Sequence, residues 1–183
     1  MITSLVYLYF SVRQIIWLWP FGILSSALFI WIFFTSKFYA DMGLQVYYLG
    51  VSIYGWYYWS RGNISGQAGG RPVIRLNKKL GIFLAAATLI LWLVIVWVLK
   101  TWTDSDVPWG DGFTTAASVI ATWMLARKIL EHWLVWIVVD MVAACLYIYK
   151  GLYPTAFLYM VYSVIAVTGF IQWKKSLERK PYA

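Results

Sequence analysis

The chain repeats itself at one fixed offset. Residues 13–59, shifted by 114 positions, fall on residues 127–173 without a gap. Arg13 meets Arg127, Ile15 meets Ile129, Trp19 meets Trp133 and Ile23 meets Ile137. Further along, Tyr39 meets Tyr153, Leu44 meets Leu158, Tyr48 meets Tyr162, Gly55 meets Gly169 and Trp59 meets Trp173. An excess of Tyr, Trp and Ile raises the rate of single coincidences, but it does not produce a constant register. Two like units in an apolar chain are the pattern of transporters that hold a substrate where the repeats meet.

Composition identifies the solvent. Of 183 residues, 62% are hydrophobic and 12% charged, and the mean hydropathy is +0.70. Apolar runs recur near 15–35, 38–60, 80–100, 112–129, 131–149 and 152–173. Each is close to the ~20 residues that cross a ~30 Å hydrocarbon core as a helix. A seventh run, 1–12, would rise only about 18 Å as a helix, too short to cross in full. It lacks the basic start and small-residue cleavage site of a signal peptide. A soluble core would need six nearly uncharged helices without polar faces, which excludes that class.

The repeat demands seven crossings. Each unit has three helices, and two such units in one chain point opposite ways unless an extra crossing separates them. Leu80–Lys100 supplies it. The expected fold is an all-α integral membrane protein with seven transmembrane helices as three, one and three, the units parallel about an axis along the membrane normal. A first bundle takes 1–60. A cytoplasmic loop, a connector helix and an outer loop take 61–111, a second bundle takes 112–175, and a cytoplasmic tail takes 176–183.

Charge gives the orientation. With the N-terminus outside, twelve Lys and Arg lie inside: 13, 61, 71, 75, 78, 79, 127, 128, 174, 175, 179 and 180. Only Lys37, Lys100 and Lys150 lie outside. That asymmetry places the C-terminus inside. The net charge of +8 therefore marks cytoplasmic loops beside anionic lipid, not a nucleic-acid surface. Ser60–Lys79 is basic and Gly-rich, a flexible inner loop.

Catalytic and metal chemistry find no support. Cys145 is the one cysteine and His132 the one histidine. A lone cysteine gives no disulfide framework, and His132 beside Glu131 reads as an interfacial cap or a solvated residue. There is no HExxH and no phosphate-binding GxxxxGK[ST]. Neither a cofactor nor an enzyme activity is expected.

A polar stripe remains within the spans. At 100° per residue, Asp41, Gln45, Tyr48, Ser52 and Trp59 lie within about 80° of one another on the third helix. Trp56 is a further candidate there. Thr155, Tyr159, Tyr162 and Trp173 share the matching stripe on the seventh helix, and Trp133, Trp136, Asp140 and Tyr147 align on the sixth. Trp17, Trp102 and Trp109, and at the span ends Trp59 and Trp173, also suit an interfacial aromatic belt. Gln45 also suits a bond to a neighbouring helix. Asp140 stands at the middle of its span, where a carboxylate costs at least ~2.5 kcal/mol and normally faces a partner, cavity or substrate. Aromatic walls with a few polar groups suit a flat ring on a polar body, and with a carboxylate they suit a delocalised cation.

The segments WPFGILSSALFIWIFF (19–34), YADMGLQVYY (39–48), SIYGWYYW (52–59), HWLVWIVVD (132–140) and YIYKGLY (147–153) resemble the Pnu family of bacterial vitamin transporters. The resemblance covers nearly the whole chain. It implies a SWEET-like fold in three-one-three form, and facilitated diffusion of an unphosphorylated vitamin across the bacterial inner membrane. A downstream cytoplasmic kinase would trap the vitamin, and a homo-oligomer is one possible assembly. By motif position it makes Gln45, Trp133, Trp136 and Asp140 pocket residues. Nicotinamide riboside is first by family. Members that carry it often have Asn at the places of Asp140 and Thr168, and other branches take thiamine, riboflavin or deoxynucleosides. A thiazolium cation would pair with Asp140, which keeps thiamine as the alternative. The rival from another class is a membrane structural or interaction protein without transport.

Overall fold

Among the described residues seven α-helices follow one another: α1 (Ile2–Val12), α2 (Leu18–Thr35), α3 (Tyr39–Ser60), α4 (Lys78–Trp102), α5 (Pro108–Ala126), α6 (His132–Tyr149) and α7 (Tyr153–Glu178). They belong to a computed structural model that describes residues 2–36, 39–61 and 71–178. Most of the expected Gly-rich loop (62–70), the tail from 179 and the side chain of Asp41 lie outside the described residues. The helices α2, α4, α6 and α7 are long and apolar enough to cross a membrane. With 11 residues α1 is short, as its sequence predicts. Both α3 and α5 have the length, with 22 and 19 residues, and carry more polar side chains.

Local chemistry sets the ends. Asn77 caps α4 by accepting the Lys79 N–H at 3.2 Å. Pro108 opens α5, where its missing N–H costs nothing. Gly151, at φ +72°, turns the chain out of α6 while the Leu152 N–H returns to the Tyr147 carbonyl at 2.8 Å.

The repeat is visible in the backbone. The exits of α1 and α5 use the same turn, with Gln14 at φ 56° and Lys128 at φ 55°, 114 positions apart. Ile15 N–H reaches the Phe10 carbonyl at 2.8 Å, and Ile129 N–H reaches the Met124 carbonyl at 3.0 Å. These are Schellman closures with a side chain where glycine is usual. One turn on, Trp19 packs against Gly55, and Trp133 packs against Gly169. Trp59 Nε1 donates to the Ala126 carbonyl and Trp173 Nε1 to the Ser11 carbonyl, each at 3.1 Å. So α3 is fastened to the end of α5, and α7 to the end of α1.

These bonds build an aromatic core at the face where α1, α3, α5 and α7 end, called here the basic face. The Trp19–Trp59 centroids are 5.4 Å apart, Trp59–Trp173 6.3 Å and Trp133–Trp173 5.8 Å. Trp59 and Trp173 are therefore not belt residues, being 3% and 0% exposed. Their indole N–H groups find backbone partners in the other unit instead of interfacial water. His132 is likewise no solvated cap: it is wholly buried, 4.6 Å from Trp133 and 4.7 Å from Trp173 by centroid. Its repeat partner Leu18 is also fully buried, so the position belongs to the core in both units. Trp17, Trp102 and Trp109 are exposed, as a belt requires.

Between the units, α4 packs on α5 where Gly112 leaves room for Val96. The segment before α4 is laced to the α5–α6 turn. Ile74 N–H donates to Lys128 O at 3.0 Å, Leu130 N–H to Ile74 O at 2.9 Å, and Leu76 N–H to a Glu131 carboxylate oxygen at 2.7 Å.

Candidate functional site

A cavity of about 290 Å³ opens between the first unit's α3 and the second unit's α5, α6 and α7. Leu44 and Tyr48 reach it from α3, and Tyr159 from α7. Trp136, Val139, Ala143, Leu146 and Tyr147 form its α6 wall. The α5 wall is polar, with Asp111, Thr114, Thr115 and Ser118. Below it, toward the basic face, lies the aromatic core. At the opposite face Lys150 meets Asp111 at 3.1 Å, and Ser105 Oγ donates to the same carboxylate at 2.9 Å. Gly110 lets Leu146 pack closely against the start of α5, because a Cβ there would stand 2.6 Å from Leu146 Cδ2.

The aromatic members are held in place by one another. Tyr147 and Tyr159 lie 5.1 Å apart by centroid, and Tyr159 and Tyr162 lie 5.5 Å apart. On α3, Tyr47 beside Tyr48 donates its hydroxyl to the Val119 carbonyl at 2.7 Å, which binds α3 to α5 along the cavity.

Asp140 sits between the lining residues Val139 and Ala143 on α6. It is 5% exposed, and among the described residues it has no hydrogen-bond or ion-pair partner. Its charge lies within electrostatic reach of Tyr159. A carboxylate held this way needs a positive or hydrogen-bond-donating ligand, or a proton.

The sequence candidates separate by position. Tyr48, Trp136 and Tyr159 line the cavity, and Asp140 flanks it. Gln45 is half-buried next to Leu44, and Tyr162 is half-buried behind Tyr159. Trp133 is in the aromatic core and not among the lining residues. Ser52 is buried against Gly22, and Trp56 is exposed. The α5 residues and Lys150 are lining residues that the polar stripe did not include. Their signal was the spacing 111, 114, 115 and 118, which lies on one helical face.

The family model described as nicotinamide mononucleotide transporter matches residues 1–175. The chain is 25% identical to the nicotinamide riboside transporter PnuC of Escherichia coli strain K12, over 87% of this chain and 77% of that one. It is 27% identical to the riboflavin/roseoflavin transporter RibM of Streptomyces davaonensis, over 94% of this chain and 81% of that one. A crystal structure of the vitamin B3 transporter PnuC superposes with a TM-score of 0.72 at 24% identity, covering 97% of this chain and 79% of that one.

Proposed function

We propose that this chain, which belongs to the nicotinamide mononucleotide transporter family and is a multi-pass membrane transporter and not an enzyme, carries an unphosphorylated B-type vitamin by facilitated diffusion. The observation that carries this reading is the cavity between the two units, walled by Tyr48, Trp136 and Tyr159 with the unpaired Asp140 beside it. Trp136 and the tyrosines stack on a flat ring. Asp140 attracts a positive ring or accepts from an amide, and Gln45 bonds the ring substituent from the first unit. Nicotinamide riboside is the leading substrate, since its ring is cationic and relatives of this chain are named for it. Thiamine is the second reading, favoured by the carboxylate at 140.

The chain lies in the bacterial inner membrane with its N-terminus outside, following the twelve-to-three distribution of basic residues. The vitamin moves down its gradient and a cytoplasmic kinase traps it. Uptake of labelled nicotinamide riboside, thiamine and riboflavin into proteoliposomes tests the reading. One of them should equilibrate across the membrane without ATP or an ion gradient. No uptake of any, or accumulation above the outside concentration, overturns it.

A further inference from the structure

On the basic face two arginines share one ring. The Arg71 guanidinium carbon stands 4.2 Å from the centroid of Tyr58, and that of Arg127 stands 5.1 Å from the same centroid. Tyr54 stacks beside Tyr58 at 5.8 Å, and the Trp123 ring lies 5.7 Å from the Arg127 carbon. Arg127 donates from Nη1 to the Tyr54 hydroxyl at 2.9 Å, and its Nε is covered and unpartnered. Nη2 is not covered and has no partner among the described residues. Arg71 is exposed and has no hydrogen bond or ion pair among the described residues. Glu131, the carboxylate next along the chain from Arg127, is committed to the Leu76 N–H at 2.7 Å. The negative end of α5 accounts for a cation at its C-cap, which is Arg127. It does not account for Arg71, which a separate segment brings to the same ring. Two like charges there repel, and an anion received by both relieves the repulsion. The repeat does not supply this arrangement twice. Tyr9 and Arg13 match Trp123 and Arg127, but Thr168 and Gln172 stand where Tyr54 and Tyr58 would be needed.

We propose that Arg71 and Arg127 form a site for an anionic phosphate group at the basic face, beside the ends of α3 and α5. Phosphate oxygens diverge in three dimensions, so two guanidinium forks can donate to one phosphate at the same time. A flat carboxylate is matched by one fork. The leading source of the phosphate is a phospholipid headgroup. Tyr54, Tyr58 and Trp123 are half-buried, as rings are where membrane helices meet headgroups. Next to them Val46, Ile53 and Tyr57 are exposed in one stripe along α3, a track for an acyl chain. Basic pockets between membrane helices hold anionic headgroups in this way. A soluble phosphate is the other source of the same chemistry. The site uses only the basic face, so it stands apart from the vitamin cavity and does not rest on the vitamin reading.

Native mass spectrometry of the full-length chain in detergent, titrated with phosphatidylglycerol, tests it. One lipid should bind ahead of the rest. Arg71→Gln and Arg127→Gln should each weaken that first binding about tenfold, the low end for a hydrogen bond to a charged group. Arg71→Lys keeps the charge, loses the fork and should lose part of the affinity. Arg61→Gln is the control, because it removes an equal charge from the neighbouring ring, Tyr57, where the guanidinium carbon stands at 4.2 Å. It should change the binding by about twofold at most, as a screened surface charge does. Arg13→Gln, at the repeat position, should do the same. Arg71 is exposed, so an unchanged thermal midpoint in Arg71→Gln separates a lost contact from a damaged fold. Calorimetry with sodium phosphate, against sodium chloride at equal ionic strength, distinguishes the sources. Lipid that millimolar phosphate does not displace assigns the site to a headgroup. Phosphate that binds, displaces the lipid and shows the same loss in Arg71→Gln and Arg127→Gln assigns it to a soluble anion. An equal loss in all four glutamine variants reduces the binding to the general field of the basic face and overturns the site. So does unchanged binding in Arg71→Gln, or phosphatidylcholine binding as tightly as phosphatidylglycerol. If the unaltered chain binds neither lipid nor phosphate, the proposal fails outright.

Discussion

Gly169→Ala adds one methyl group where the structure has no space for it. An ideal Cβ there would stand 2.6 Å from Trp133 Cζ2 and 2.7 Å from Cε2 and Cη2. Carbon atoms normally approach to about 3.5–4.0 Å, so the indole must retreat by about 1 Å. It cannot do so freely. Its ring is 1% exposed, with His132 at 4.6 Å and Trp173 at 5.8 Å by centroid. Overpacking of this kind costs about 1–3 kcal/mol, and three ring atoms in the clash argue for the upper half. Alanine recovers ~0.5–1 kcal/mol of helix preference, leaving a net loss of about 1–2.5 kcal/mol. For a chain of this size that lowers the thermal midpoint by about 2–10 °C. Gly55→Ala should do the same, since its Cβ would stand 2.5 Å from Trp19 Cζ2 and Cη2. Gly50→Ala is the control. Nothing lies within 4 Å of its added Cβ, so the helix term alone should raise the midpoint by a few degrees, at ~0.5–1 kcal/mol. Thermal unfolding in detergent, followed by tryptophan fluorescence, reads all three. Trp133→Phe in the Gly169→Ala background should restore part of the loss, because the smaller ring clears the methyl. If Gly169→Ala and Gly50→Ala shift the midpoint the same way, the account of the aromatic core is wrong.

Asp140→Asn keeps shape and removes charge, so binding of a cationic ring should weaken by about 1.5–3 kcal/mol, measured by titration calorimetry; an unchanged affinity would make Asp140 structural. Trp59→Phe removes an inter-unit donor and leaves the Ala126 carbonyl unmet, which should cost about 1–3 kcal/mol. After Trp173→Phe the Ser11 carbonyl still accepts the Gln14 N–H at 3.1 Å, so only the net worth of one hydrogen bond, about 0.5–1.5 kcal/mol, should be lost. Because the two rings are neighbours, the double variant should depart from the sum in chemical unfolding. Burial lowers the Lys128 ammonium, in the turn between α5 and α6, to about 8 from its ordinary 10.5. The folded state then binds this proton less well than the unfolded state, so the cost of charging is full below about pH 8 and lifts toward pH 10.5. Stability should rise over that window, and Lys128→Met should flatten the rise in a pH series of unfolding midpoints. A cysteine placed at Ser65 in a Cys145→Ser background should react with an impermeant thiol reagent only in inverted vesicles; labelling of intact cells would reverse the proposed orientation.

The repeat made the helices legible because it fixed a register that single apolar runs leave loose. The sixth helix was expected at 131–149 and runs His132–Tyr149. The seventh was expected to stop at 173, where Gln172, Lys174 and Lys175 end the apolar run, yet α7 continues to Glu178. Its backbone bonds are internal and do not need lipid around them. The stripes were less informative about the site, because helical angle fixes a face but not a depth. Trp133 shares its face with Trp136 and Asp140, but it lies about 4.5 Å nearer the helix start than Trp136. That difference puts Trp133 in the aromatic core and Trp136 at the cavity. The α5 lining residues went unread because Asp111 falls at the end of the expected outer-loop segment, 61–111, and Ser and Thr in a span commonly bond their own backbone, as Thr114 and Thr115 do. The identical Trp and Gly pairs, 19/133, 55/169 and 59/173, build the core that both units share. The cavity lies largely where the units differ. Trp136 stands opposite Gly22 in the repeat, Asp140 opposite Ser26, and Tyr159 opposite Gln45. Two identical units would present two identical surfaces to each other. Bulk, charge and an aromatic ring in only the second unit break that equivalence and shape one side of the interface for a ligand. In this chain the identities of the repeat therefore specify the frame, and its departures mark the candidate site.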